Sequence, residues 1–214
     1  MMLEKLFWQD PYQTELNTHV TSVVGQQITV AQTIFYAFAG GQESDTGTID
    51  RWRVLQARNE GFEIFYTLET EHGLQVGDPV TMRIDWERRY RLMRLHFAAE
   101  IILELVYQTL PGIQKIGAHI AQDKSRIDFE WGENLSTLFP LLYEKSAVLI
   151  QANHPIISAF SDEANQRRYW EIEGFARVAC GGTHLRTTGE IGTLELRRKN
   201  VGKDKERIEI YVLE

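Results

Sequence analysis

The sequence predicts an α+β protein with a small N-terminal β-barrel domain over residues 1–85 and an antiparallel-sheet and helix domain over residues 86–214. Three observations predict it. Residues 1–85 contain about five short runs rich in β-branched and aromatic residues, with glycine-containing turns between some of them. From Trp86 the pattern changes, and apolar residues recur at three-and-four spacing, the period of a helix. Beyond Pro111-Gly112, extended runs alternate with one further helical stretch, which suits helices laid on an antiparallel sheet.

The elements follow in order. Thr18 to Val24 alternates polar and apolar residues, and Gln27 to Phe38 is rich in Ile, Val, Thr, Phe and Tyr. Trp52 to Ala57, Phe62 to Leu68 and Val80 to Ile84 continue the strand pattern. Gly40 to Gly47, taken alone, is a hairpin loop of turn formers. It is not a phosphate loop, since no lysine-serine/threonine pair follows and no helix opens there. Asp85 is placed to cap a helix from about Trp86 to Gln108, with Leu92, Leu95, Ala99, Ile102 and Val106 as its buried stripe. Pro111-Gly112 stops that helix. Ile116 to Ala121 and Arg126 to Trp131 form a hairpin around Gln122–Ser125. Leu135 to Gln151 is helical and capped by Asn134, with Pro140 marking either a kink or a later start. Ile156 to Phe160 is a strand, and Tyr169 to Ala179 is one extended run. Gly192 to Arg198 and Glu206 to Leu213 close the chain as a hairpin across Lys199–Gly202.

Composition sets limits on function. A hydrophobic fraction of 43% with 11% aromatics supports a real core, and no apolar run approaches the length of a membrane span. The opening decapeptide has neither a long apolar region nor a small-residue cleavage site, so it does not read as a signal peptide. A single cysteine excludes an intrachain disulfide and favours a cytoplasmic location. The net charge of −7 sits in residues 1–85, which carry 5 basic and 12 acidic side chains; residues 86–214 carry 18 of each. An acidic chain argues against broad nucleic-acid affinity. Two basic clusters stand out all the same: Arg88, Arg89, Arg91 and Arg94, then Arg197, Arg198, Lys199, Lys203, Lys205 and Arg207. On charge alone these are solvated faces.

Cys180-Gly181-Gly182-Thr183-His184 carries the chemistry. A thiolate and an imidazole four residues apart suit Zn²⁺, and the glycines let the backbone turn so that both face one point. Two ligands do not complete a site. His96 and Glu100, at i and i+4 on one helical face, are the best candidates to join them. The plain alternative is a packed cysteine and an internally satisfied histidine. His19, His72, His119 and His154 show no ligand spacing.

Several blocks resemble one family. Phe35–Gly47 is similar to the glycine-rich barrel motif of the AlaX-type alanyl-tRNA editing proteins, free-standing relatives of the editing domain of alanyl-tRNA synthetase. Asp85–His96 resembles the lead-in to that family's HxxxH helix, and Cys180–Gly192 resembles its CxxxH turn. The blocks fall in the family's order, and a barrel ahead of the editing core resembles its medium-length class. The resemblance implies an ATP-independent hydrolase that removes serine or glycine from mischarged tRNA for alanine, acting in trans as a monomer or homodimer. It implies zinc held by His96, Cys180 and His184, with Glu100 in place of the second histidine, and His96 and Glu100 as catalytic residues. It implies a substrate pocket of Phe97, Gly40, Gly41, Gln42, Asp45 and Thr183, where Phe97 replaces the family's threonine. It implies that Arg88, Arg89, Arg197, Arg198 and Lys199 hold tRNA phosphates. An editing-inactive member that binds tRNA or a partner protein, and a hydrolase of another aminoacyl ester, are the competing readings.

Overall fold

The computed structural model describes residues 3–69 and 71–213, so the first two residues of the opening decapeptide lie outside it. The chain divides into two compact units, Met1–Ala39 with Glu43–Tyr90, and Gly40–Gln42 with Arg91–Glu214. The segment expected to be a hairpin loop, Gly40–Gly47, is therefore shared: Gly40–Gln42 packs with the second unit and the rest with the first.

The first unit holds β1 (Glu4–Lys5), β2 (Glu15–Val24), β3 (Gln27–Val30), β4 (Gln32–Thr33), β5 (Gly47–Ile49), β6 (Trp52–Glu60), β7 (Glu63–Leu68) and β8 (Pro79–Ile84). Six of these pair in a closed ring in the order β2-β3-β7-β6-β5-β8. The side-chain period of two fills it: Leu16, Thr18 and Val20 of β2 turn inward, as do Ile64, Tyr66 and Leu68 of β7. Among the strands, β1 and β5 were missed in the sequence; Gly47 reads as a turn former although it begins the strand that links β6 to β8.

One buried ion pair ties the head of the first helix to this unit. Arg89 is fully buried, and its guanidinium donates to both Asp45 oxygens, to Ile34 O and, at 2.8 Å, to Pro11 O. Asp45 also accepts from the Tyr36 amide at 2.6 Å. Both residues differ from expectation. Arg89 cannot reach a tRNA phosphate, and Asp45 is a core anion rather than a substrate contact.

The second unit is built on α1 (Trp86–Thr109), whose first five residues belong to the first unit. Asp85 Oδ1 accepts from the Arg88 amide at 3.1 Å, as a capping aspartate does. The expected stripe is buried, and Met93, Phe97, Ala98, Ile101 and Leu105 are buried too, so the helix is apolar on more than one face. It is followed by β9 (Gln114–Ile120), β10 (Ser125–Glu130), α2 (Phe139–Ala152), β11 (Ile157–Asp162), β12 (Arg167–Ile172), β13 (Ala176–Ala179), β14 (Leu194–Gly202) and β15 (Lys205–Val212). Antiparallel sheets form in the orders β14-β15-β10-β9 and β11-β12-β13. No helix among the described residues is long and apolar enough to cross a membrane.

Of the two readings of Pro140, the later start holds: Asn134 caps a short 3-10 turn over Leu135–Leu138, and α2 starts at Phe139 with the proline in its first turn. Two local expectations need correction. Tyr169–Ala179 is not one extended run, because Phe175 N bonds back to Ile172 O at 3.0 Å and turns β12 into β13. The closing hairpin turns later than expected, at Lys203-Asp204, where Asp204 adopts φ 52°. Lys199–Gly202 lies within β14, with a register shift between Asn200 and Gly202.

Removing one member of a buried ion pair strands the other. Arg89→Met is expected to cost about 3–5 kcal/mol in urea unfolding. A loss within about 0.5 kcal/mol, the size seen for exposed side chains, would contradict this role.

Candidate metal centre

Within the second unit, α1 and the turn after β13 bring three donors together. Cys180 N donates to Arg168 O at 3.0 Å, which fixes the thiol at the end of the β12–β13 ladder. Thr183 and His184 follow, and both are buried. His96 approaches from the middle of α1. His96 Nε2 and His184 Nε2 each lie 3.3 Å from Cys180 Sγ. All three donor atoms fall within 4.8 Å of one another.

Glycine makes the approach possible. A Cβ on Gly182 would collide with His96 Cε1 and lie 2.9 Å from Gln42 Oε1. Any side chain there would push the imidazole out of line. Gly41 plays a matching part at φ +88°, where a Cβ would meet Ala118 O at 2.6 Å. That close approach lets Ile120 N donate to Gly41 O at 2.8 Å and brings Gln42 in against Thr183, whose Oγ1 accepts from Gln42 Nε2 at 2.9 Å.

The surroundings set the tautomers. Ser158 Oγ lies 2.8 Å from His184 Nδ1; when it accepts from that nitrogen, the Nε2 lone pair is left facing the sulfur. His96 Nδ1 and Gln42 Oε1 are buried without a hydrogen-bond partner. Phe97 closes one side with its ring edge-on to His184 at 5.8 Å and to Trp170 at 5.1 Å. Glu100 stands beside the three donors without joining them all. Its Oε1 is 3.6 Å from His96 Nε2 and 3.9 Å from Cys180 Sγ, while its Oε2 accepts from Trp170 Nε1 at 2.8 Å.

Dryness controls the charges. Burial, and then the Glu100 carboxylate, push the Cys180 thiol up to about 12. Burial holds His96 below its ordinary value against the opposing pull of Glu100. Burial, then His96 and the Arg168 guanidinium, hold His184 well below its ordinary value. Burial therefore favours a neutral thiol and two neutral imidazoles in the absence of a cation. One soft sulfur and two imidazole nitrogens converging on one point are a donor set suited to a single transition-metal ion.

The other expected site residues divide. Gly40, Gly41, Gln42, Phe97 and Thr183 belong to this unit with the three donors; Asp45 does not. The first basic cluster is internal wiring. Arg88 pairs with Glu43 at 2.7 Å and donates to Ser44 O, Arg91 donates to Gln122 O at 3.0 Å, and Arg94 donates to Ile191 O and Leu213 O at 2.9 Å. Arg198 is held bidentate by Glu206. Arg197, paired with Glu195 but 59% exposed, and Lys199 are on the surface. Ser158, Arg168 and Trp170 are the neighbours that sequence reasoning missed.

Two expectations follow from this packing. Gly182→Ala is expected to cost about 1–3 kcal/mol by overpacking, whereas Gly181→Ala, with nothing within 4 Å of its Cβ, changes stability little; equal unfolding midpoints for the two would remove the role given to Gly182. As pH falls through about 6.5, the unfolded imidazoles take up protons that the buried ones refuse, so stability falls. The metal-free protein should lose urea resistance between pH 7 and 5 more steeply than its His184→Gln variant.

Comparisons with known proteins agree on one group. Residues 169–209 match the family described as the threonyl and alanyl tRNA synthetase second additional domain. Over 99% of its length the chain is 30% identical to the alanyl-tRNA editing protein AlaX-M of Pyrococcus horikoshii, covering 98% of that protein. It is 33% identical to the AlaX-M of Methanosarcina mazei over its whole length and 98% of that protein. It is also 32% identical to the alanine–tRNA ligase of Ignicoccus hospitalis, over 90% of this chain but only 24% of the ligase.

Proposed function

Because the chain belongs to the AlaX-M alanyl-tRNA editing proteins, we propose that it is an aminoacyl-tRNA deacylase that removes serine or glycine from mischarged tRNA for alanine. It acts in trans, without ATP, in the cytoplasm. The observation that carries this reading is the convergence of His96, Cys180 and His184 on one point in a dry pocket. We read the six-strand ring of the first unit as the small barrel expected from the sequence.

His96, Cys180 and His184 fit a zinc ion, with a thiolate and two neutral imidazoles as donors. Bound there, zinc supplies Lewis acidity at an ester carbonyl. The chain's own groups do the rest. Glu100 Oε1, beside the donors, accepts the proton of the attacking water. The water oxygen bonds to the carbonyl carbon, the ester bond breaks, and Glu100 returns the proton to the ribose oxygen, which leaves as the terminal hydroxyl of the tRNA. Phe97, fully buried, offers no hydroxyl and keeps water from the imidazole behind it. Gln42 Oε1, buried and without a partner, is the acceptor for a polar group of the aminoacyl moiety. Arg197 and Lys199 on β14 are the cations available for phosphate, in place of Arg88, Arg89 and Arg198, which internal anions hold.

Deacylation of tRNA for alanine charged with serine, glycine or alanine tests the reading. The expected result is release of serine or glycine, with alanine spared, and a loss of about 100-fold or more in His96→Ala, since even outer partners of metal ligands cost ten- to a hundredfold. Equal inactivity of wild type and variant, with tRNA binding kept, would instead favour a binding protein that no longer edits.

A further inference from the structure

The second departure from the resembled pattern, Glu100 where a histidine is expected, has its own partner. Trp170 is fully buried on the central strand of β11-β12-β13, and its indole nitrogen must find an acceptor there. It finds Glu100 Oε2 at 2.8 Å. That bond fixes the carboxylate by one oxygen and leaves the other beside His96 and Cys180, at 3.6 and 3.9 Å. Among the described residues, the donor atoms that all lie within 4.8 Å of one another are those of His96, Cys180 and His184; Glu100 Oε1 is close to the first two but does not complete that set. Phe97 sits edge-on to the same indole at 5.1 Å and fixes its plane.

We propose that Trp170 is a positioning residue that holds Glu100 back from the metal, so that the site has three protein donors and keeps one position free. The inference rests on the zinc reading above. A glutamate that moved in as fourth donor would close the set, which is the form of structural rather than catalytic zinc sites. To join the donors, Glu100 Oε1 would have to move in among all three of them, and the charge-assisted bond that anchors Oε2 to the indole resists that movement. The indole N–H anchors Oε2 and so holds Oε1 beside the donors, where it serves a proton instead of the cation.

The test uses the full-length protein stripped of metal and reloaded with cobalt(II), with azide as the probe of a free position. In the wild type the visible cobalt spectrum is expected to shift on adding azide. Trp170→Phe keeps an aromatic ring and removes the N–H; its spectrum should ignore azide, and its metal affinity against a chelator should rise as Glu100 joins the donors. Glu100→Gln should keep the wild-type cobalt spectrum and its azide response. If Trp170→Phe does not fold, Glu100→Gln decides alone: an unchanged cobalt spectrum supports the proposal and a shifted one overturns it. Cobalt uptake with no azide response in the wild type, or wild-type behaviour in Trp170→Phe, also overturns it while leaving the zinc reading intact. A wild-type protein that takes up no cobalt or zinc ends both.

Discussion

Two imidazole nitrogens aimed at one sulfur, in a place too dry to hold charge, set the terms for everything around them. Burial pushes each group further toward its neutral form. A cation placed among them would reverse that balance, since it favours the thiolate and accepts imidazole lone pairs. The neighbouring parts then have clear work. Gly182 gives His96 room, Ser158 orients His184, and Phe97 keeps the edge apolar. The scaffold matches the demand, because α1 is apolar on more than one face and can be sunk deep in its unit while carrying His96 inward.

The arginines at the head of α1 show how charge can mislead. Arg88, Arg89, Arg91 and Arg94 look like a phosphate patch in one dimension. Helical spacing sets Arg89 apart from Arg88, Arg91 and Arg94, which follow at three-residue steps, yet each of the four donates to a backbone carbonyl of the unit it belongs to. A guanidinium carries five donors in a planar fork and serves carbonyls as readily as phosphates. Carbonyl acceptors leave no mark on composition, so the sequence holds no sign of this use. Arg197 and Lys199 differ because their side chains are exposed on β14.

Legibility followed the range of the forces. Strands of the first unit and the body of α1 were readable because period and capping are local, as Asp85 and the buried stripe show. His96, Cys180 and His184 were readable because their chemistry is rare in this chain. Ser158 and Trp170 were not. They meet His184 and Glu100 across 26 and 70 residues of chain, and a serine or tryptophan in a strand carries no signal of such a contact. Gly47 failed for the opposite reason, since its local signal for a turn is strong and pairing with β8 overrides it.

Phe97 and Glu100 are the two positions where the chain leaves the pattern it resembles, and they are not independent. Both touch Trp170, one through the ring edge and one through the indole N–H. A polar residue at 97 would bring a hydroxyl, and with it water, to the face of the indole, and water would compete for Glu100. A histidine at 100 would offer the indole at most one ring nitrogen as acceptor, and then have no second lone pair for an ion. Carboxylate, indole and phenyl ring therefore suit one another: the carboxylate has two oxygens to divide between two tasks, and the apolar ring protects the bond that divides them. The two departures read as one exchange fitted to Trp170, with the donor triad beside it.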